Sequence, residues 1–137
     1  MPKKKSIPNE NVVKEKKKRN SKNSRARGST YERLIAQELR ELFPGVKTSR
    51  AESKNMDNAK IDLVDTDGIM PFYPQIKLTQ KTPDYFGIEK ECPYKDKPFV
   101  VFWNKTRPTE STFRSEGQLV MLPKEYFYHL LKCQFAK

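Results

Sequence analysis

The chain has 137 residues, 35% of them hydrophobic, and a formal charge of +11, which is enough for one modest core but not two. No window of about 18 apolar residues exists that could span a bilayer, and the charged N-terminus lacks the apolar stretch of a secretory signal, so a membrane-spanning or exported protein is not expected. Cys92 and Cys133 are too few and too far apart for a disulfide framework or a metal-ligand pattern, and read as two reduced thiols.

The charge is unevenly spread. Residues 1–27 hold 11 Lys or Arg against Glu10 and Glu15, whereas the other 110 residues carry 17 basic and 15 acidic side chains. With almost nothing apolar to bury, residues 1–27 are expected to be a flexible, disordered basic arm. Its Lys16, Lys17, Lys18, Arg19, Arg25 and Arg27 are suited to the phosphates of a nucleic acid. Residues 28–137 form the expected folded domain.

Order is expected to begin at "GSTYERLIAQELRELFPG". Leu34, Ile35, Leu39, Leu42 and Phe43 recur at helical spacing, Ser29 with Glu32 matches a capping box, and Pro44-Gly45 ends the pattern. "VKTSRAES" reads as a strand and its exit. "KIDLVD" and "MPFYPQIKLTQ" follow as strands, separated by the turn signal Asp67-Gly68, and the three together read as a meander. Residues 81–97 are polar and read as a loop with room for one helical turn. "PFVVFWNK" is the clearest strand, with Trp103 as core rather than a base-stacking platform. "QLVMLP" reads as another strand, and the chain closes with a helix that begins near Pro123 and repeats apolar residues at Tyr126 or Phe127, Leu130 and Leu131. His129 in that helix reads as structural or exposed.

In "YPQIKLTQ", residues 73–80, Gln75 and Lys77 are two apart in a strand and therefore share a face. Asp62 sits among Ile61, Leu63 and Val64, where an acid in an apolar strand calls for a purpose; Asp57 and Asp65 compete for the same role. Glu32 completes the capping box, which alone explains a glutamate there, and Asp62 and Lys77 also fit solvated strand edges. Taken jointly and in order, these residues carry more.

Gly28 and Glu32 on the first helix, Ser53 after the first strand, Asp62 opening the second and "QIK" on the third give this chain an order that resembles the PD-(D/E)XK nuclease superfamily, most closely the Holliday junction resolvases of archaea and phages. The similarity spans roughly residues 27–137 and is specific through about residue 80. It implies an α/β (α+β) fold with a restriction-endonuclease-like core, a central mixed β-sheet flanked by helices. It also implies a metal-dependent endodeoxyribonuclease that cuts four-way DNA junctions as a homodimer, inside a prokaryote (cytoplasm or nucleoid) or in the cytoplasm of a virus's host. The catalytic set carried over is Glu32, Asp62, Gln75 and Lys77, with Mg²⁺, or Mn²⁺ in its place, held by Glu32, Asp62, Gln75 and the backbone carbonyl of Ile76. Ser53 would lie near the scissile phosphate, and Lys54 beside it would also touch DNA.

The chemistry asks for the same residue types. Phosphodiester hydrolysis needs neutralised phosphoryl charge and hydroxide near neutral pH, which a dication in oxygen ligands supplies, and Lys77 is a point charge able to orient the attacking water. Gln75 departs from the family pattern, which has a carboxylate at this position. An amide there removes one negative charge, so Mg²⁺ affinity and activity should both fall. Three explanations stand open: a family variant with Gln here, a compensating ligand at Glu52, or a glutamate-to-glutamine change made to trap uncut DNA. Glu52 is the least favoured, since it lies in a loop. The rival functions are another nuclease of this superfamily and a catalytically silent DNA- or RNA-binding protein of the same fold.

Overall fold

The computed structural model describes residues 25–109 and 113–136. Helix α1 covers residues 25–39. It is followed by strand β1 (Val46–Thr48), the short helices α2 (Ser49–Glu52) and α3 (Lys54–Asn58), strands β2 (Leu63–Asp65) and β3 (Tyr73–Thr79), helix α4 (Tyr85–Glu91), strands β4 (Phe99–Pro108) and β5 (Phe113–Met121), and helix α5 (Lys124–Phe135). None of the described helices is long and apolar enough to cross a membrane.

The architecture is mixed α/β. β3, β4 and β5 form a three-stranded mixed sheet in that order, and β1 and β2 form a separate antiparallel pair. β3 and β4 run parallel with Gln75 beside Val101 and Lys77 beside Trp103. A parallel pair needs a crossover, and α4 lies within it. β4 and β5 are antiparallel, with an irregularity between Lys105 and Thr106.

The expected three-strand meander is therefore broken between β2 and β3, and the sequence offers a reason. Pro74 has no N–H to give a neighbouring strand. Its carbonyl accepts from Asp62 N at 2.9 Å, but the Ile76 N–H, two residues on along the same edge, donates to the Asp62 side chain at 2.7 Å instead of continuing a ladder. β2 and β3 are thus joined through one aspartate at the point where they would otherwise zip together.

Two apolar clusters sandwich the sheet. One gathers Tyr31, Ile35 and Ala36 of α1 with Val46, Leu63, Met70 and Ile76, and Phe72, Leu78 and Phe102 pack against it. The other gathers Ala59, Ile61, Cys92, Phe99, Val101 and Trp103, with Tyr73, Tyr85 and Ile88 against it. The period of two explains the split along β3: Ile76 and Leu78 belong to the first cluster and Tyr73 to the second, so Gln75 and Lys77 leave the strand on Tyr73's side.

Several expectations need correction. α1 already includes Arg25 and Arg27, because "SRAR" is rich in good helix formers; these two residues belong to the helix and not to a flexible arm, and Ser29 lies inside the helix instead of capping it. Lys16, Lys17, Lys18 and Arg19 lie outside the described residues. Leu34 and Leu42 are exposed, while Tyr31 and Ala36 are buried in their place. The polar stretch 81–97 holds the two-turn helix α4, capped by the Asp84 side chain, which accepts from Gly87 N at 3.2 Å. β5 begins at Phe113, five residues before the expected "QLVMLP". Pro123 is the N-cap of α5 and not its first turn.

Candidate active site

Asp62 is held where three segments meet. Its carbonyl accepts from Ser49 N at 2.8 Å, at the start of α2. Its carboxylate oxygen Oδ2 accepts from two donors of β3: Gln75 Nε2 at 2.9 Å and Ile76 N at 2.7 Å. Burial is the main reason why its carboxyl titrates far above the usual range, pushed up to about 7. The Ile76 bond opposes that shift, Glu32 and Asp57 add to it by repulsion, and Lys77 opposes it.

Gln75 is only 7% exposed. Its amide nitrogen is spent on Asp62, and among the described residues its Oε1 has no hydrogen-bond partner. A buried amide oxygen left without a donor costs about 1–3 kcal/mol, so its persistence calls for an explanation.

Glu32 projects from α1 and is 8% exposed. Burial raises its carboxyl above the ordinary range; Arg50 opposes this, Asp57 adds to it, and Arg33 opposes it. Arg50 of α2 joins the two helices, donating through Nη1 to Ser29 Oγ at 3.0 Å and through Nη2 to Glu32 Oε1 at 3.5 Å. Asp57 of α3 accepts from the buried Ser49 hydroxyl at 3.3 Å. The chain reverses after it at Lys60, a non-glycine residue at φ 67°, which returns β2 toward β3.

The four residues singled out in the sequence thus come together: Glu32 and Lys77 both act electrostatically on Asp62, and Gln75 bonds to it directly. Ile76 donates its amide N–H to Asp62. Ser53 caps α3, its hydroxyl accepting from Met56 N at 3.3 Å, and Lys54 opens that helix on the surface. Glu52 is turned away into an ion pair with Lys47 at 3.4 Å, so it does not stand in for Gln75. Asp65 is a turn residue whose carboxylate accepts from the amides of Asp67, Ile69 and Met70; the cost of burial is the largest single influence and raises its carboxyl, but those three bonds and Lys97 together hold it below the ordinary range.

Comparison with protein-family models, with curated proteins and with solved structures finds no match.

The site therefore stands on its own chemistry. Two residues escaped the sequence reading in their present roles. In the sequence Asp57 stands only as a rival to Asp62, yet in the fold it raises the carboxyls of both Glu32 and Asp62. No periodic signal in the sequence marks Arg50. Trp103 is core, with Nε1 donating to both Thr79 O and Thr79 Oγ1 at 3.1 Å. His129 is exposed, stacks on Tyr126 and lies 3.6 Å from Cys133 Sγ. Both cysteines are free thiols.

Among the described residues no three His, Cys, Asp or Glu side chains are close enough to hold a metal ion. At the Asp62 site the third oxygen is an amide. In kind the donors suit a hard dication: a carboxylate, a second carboxylate nearby, and the unpartnered amide oxygen of Gln75.

Proposed function

We propose that this chain is a metal-dependent, structure-selective endodeoxyribonuclease with a restriction-endonuclease-like core, resembling the Holliday junction resolvases and acting inside the cell on four-way DNA junctions. Gln75 holds its cutting rate down. One observation carries the reading: Glu32, Gln75 and Lys77 all converge on the buried carboxyl of Asp62, on the strand-flanked order that the resemblance anticipates. A carboxyl raised to about 7 mainly by burial, with repulsion from Glu32 and Asp57 added, supports a functional site at this position.

In this reading Asp62, the amide oxygen of Gln75, Glu32 and the backbone carbonyl of Ile76 would hold Mg²⁺, with Mn²⁺ able to replace it. The bound ion supplies charge neutralisation at the phosphoryl oxygens and a more acidic water. Lys77 orients the attacking water and offsets charge on the phosphoryl oxygens. Arg50 holds Glu32 in place from the neighbouring helix. Ligation requires Asp62 to lose its proton, so metal binding strengthens as pH rises through about 7.

A homodimer belongs to the same proposal. Phe127, Tyr128, Leu130, Leu131 and Phe135 of α5 are exposed. At typical side-chain areas they uncover on the order of 500 Å², more than half of the roughly 800 Å² that each partner buries in a standard interface. A second copy suits such a face, since paired cuts related by a two-fold axis suit a two-fold protein.

A second reading, a DNA-binding protein without cutting activity, is favoured by one observation: the Gln75 amide is already engaged with Asp62. Cleavage of a labelled synthetic four-way junction in Mg²⁺, by this chain and by Gln75→Glu, with linear duplex as control, separates the two. Paired nicks in the junction alone by Gln75→Glu support the nuclease. DNA binding by both forms with no cutting by either supports the silent binder.

A further inference from the structure

Next to Glu32 there is a second feature that the Asp62 chemistry does not use. A cleft of about 550 Å³ opens between α1 and the β1–α2 segment. Ser29, Arg33, Ala36 and Arg40 recur at helical spacing along α1 and just past its end, which puts them on one stripe. Lys47 of β1 and Arg50 of α2 face them across the cleft. Four cationic side chains thus line a space with a single carboxylate, Glu32, in its wall. Glu52 lies just outside and pairs with Lys47.

The cations are held apart by contacts that leave donors over. Arg40 Nη1 donates to Val46 O at 2.9 Å, one of five N–H groups on that guanidinium. Arg50 is fixed by Ser29 and Glu32. Arg33 reaches Thr30 Oγ1 at 3.4 Å. The hydroxyls of Ser29 and Thr48 add neutral donors at the rim. Ala36 also lines the cleft. No aromatic ring lines the cleft, so it offers a base nothing to stack on. The planar guanidinium forks of Arg33, Arg40 and Arg50 match a tetrahedral phosphate oxyanion.

We propose that this cleft is a phosphate subsite, which grips the nucleic-acid backbone at a phosphodiester flanking the one presented to Asp62. The word "flanking" rests on the nuclease reading; the phosphate grip does not. Glu32 links the two, lining the cleft while acting on the Asp62 carboxyl. The subsite positions the strand without reading sequence, as backbone contacts do.

The test uses the full chain and the double variant Arg33→Ala/Lys47→Ala, whose side chains are at the surface and bury no core. Binding of a labelled four-way junction and of a linear duplex is measured without divalent metal across a series of salt concentrations. The matched control is Lys124→Ala/Lys132→Ala on α5, which removes the same charge far from the cleft in sequence. We expect the cleft variant to weaken binding about tenfold and to lower the slope of log K against log salt by about 0.9 for each lost phosphate contact, with a smaller change in the control. Unchanged affinity and slope, or an equal loss in the control, overturns the subsite. Displacement of the DNA by polyglutamate at matched charge overturns the assignment to phosphate. Cleavage by Gln75→Glu is scored separately. If it never cuts while the cleft variant loses affinity, the subsite stands and the nuclease reading falls. If it cuts the junction and the cleft variant in that background binds and cuts equally well, the nuclease reading stands and the subsite falls.

Discussion

Gln75 Nε2 and Asp62 Oδ2 lie 2.9 Å apart, so the one amide in the cluster donates to the one carboxylate that is most deeply shifted. A glutamate at position 75 would present a second negative oxygen to that same atom. The pair therefore sets both the stability of the apo site and its appetite for a cation.

Gln75→Glu is expected to lose the donor to Asp62 and to place two carboxylates together, lowering stability at pH 7.5 by roughly 1–3 kcal/mol without metal. Added Mg²⁺ should then raise the melting temperature of Gln75→Glu by more than it raises that of the unaltered chain, because binding to the native state alone is stabilising. Thermal unfolding with and without Mg²⁺ measures both effects. Equal Mg²⁺ shifts in the two proteins would remove position 75 from the ligand set.

Asp62→Asn should stabilise the protein at neutral and alkaline pH. Both donors bind the single oxygen Oδ2, so an asparagine carbonyl in that place keeps both bonds. The sign follows from the shift: the folded protein holds the Asp62 proton up to about 7, the unfolded chain releases it near 3.8, so unfolding becomes easier as pH rises between those values. At pH 8 the gain should be roughly 1–3 kcal/mol, shrinking toward zero at pH 4. Melting curves at both pH values check it; a destabilised Asp62→Asn at pH 8 would contradict the buried-charge account. The same change in the Gln75→Glu background should abolish cutting.

Residues 1–24 carry nine Lys or Arg against Glu10 and Glu15. Their deletion should weaken DNA binding and flatten its salt dependence, because fewer counterions are released. Titrations at several ionic strengths read this directly, and an unchanged slope would reduce the segment to a passive tail.

Phe127→Glu/Leu131→Glu places two charges on the exposed apolar stripe of α5, four residues apart. Dimerisation through that face predicts a halved mass in sedimentation or light scattering with the fold intact by circular dichroism. A monomeric parent chain, or a dimer untouched by the two charges, would exclude α5 as the interface.

Local pattern determined much of this protein from its sequence alone. Apolar periodicity marked the first helix, the strand around Trp103 and the closing helix, because burying a face at 3.6 or 2 residues per repeat leaves a mark that needs no partner to be read; it did not mark the first helix's end, which lies at residue 39 and not at Pro44. The order of Glu32, Asp62, Gln75 and Lys77 was likewise legible as residue types that phosphodiester chemistry requires. Tertiary structure alone decided the rest. Whether β2 and β3 zip together depends on the Ile76 amide finding the Asp62 carboxylate 14 residues away, and the sequence has no period that encodes it. Whether Glu52 or Asp57 faces the site depends on the turn at Lys60 and on Lys47 capturing Glu52. The cleft beside Glu32 exists only because Arg33 and Arg40 on one helix stripe meet Lys47 and Arg50 from another segment. Charge sites of this kind are sums over residues distant in the chain, and only folding brings the terms together.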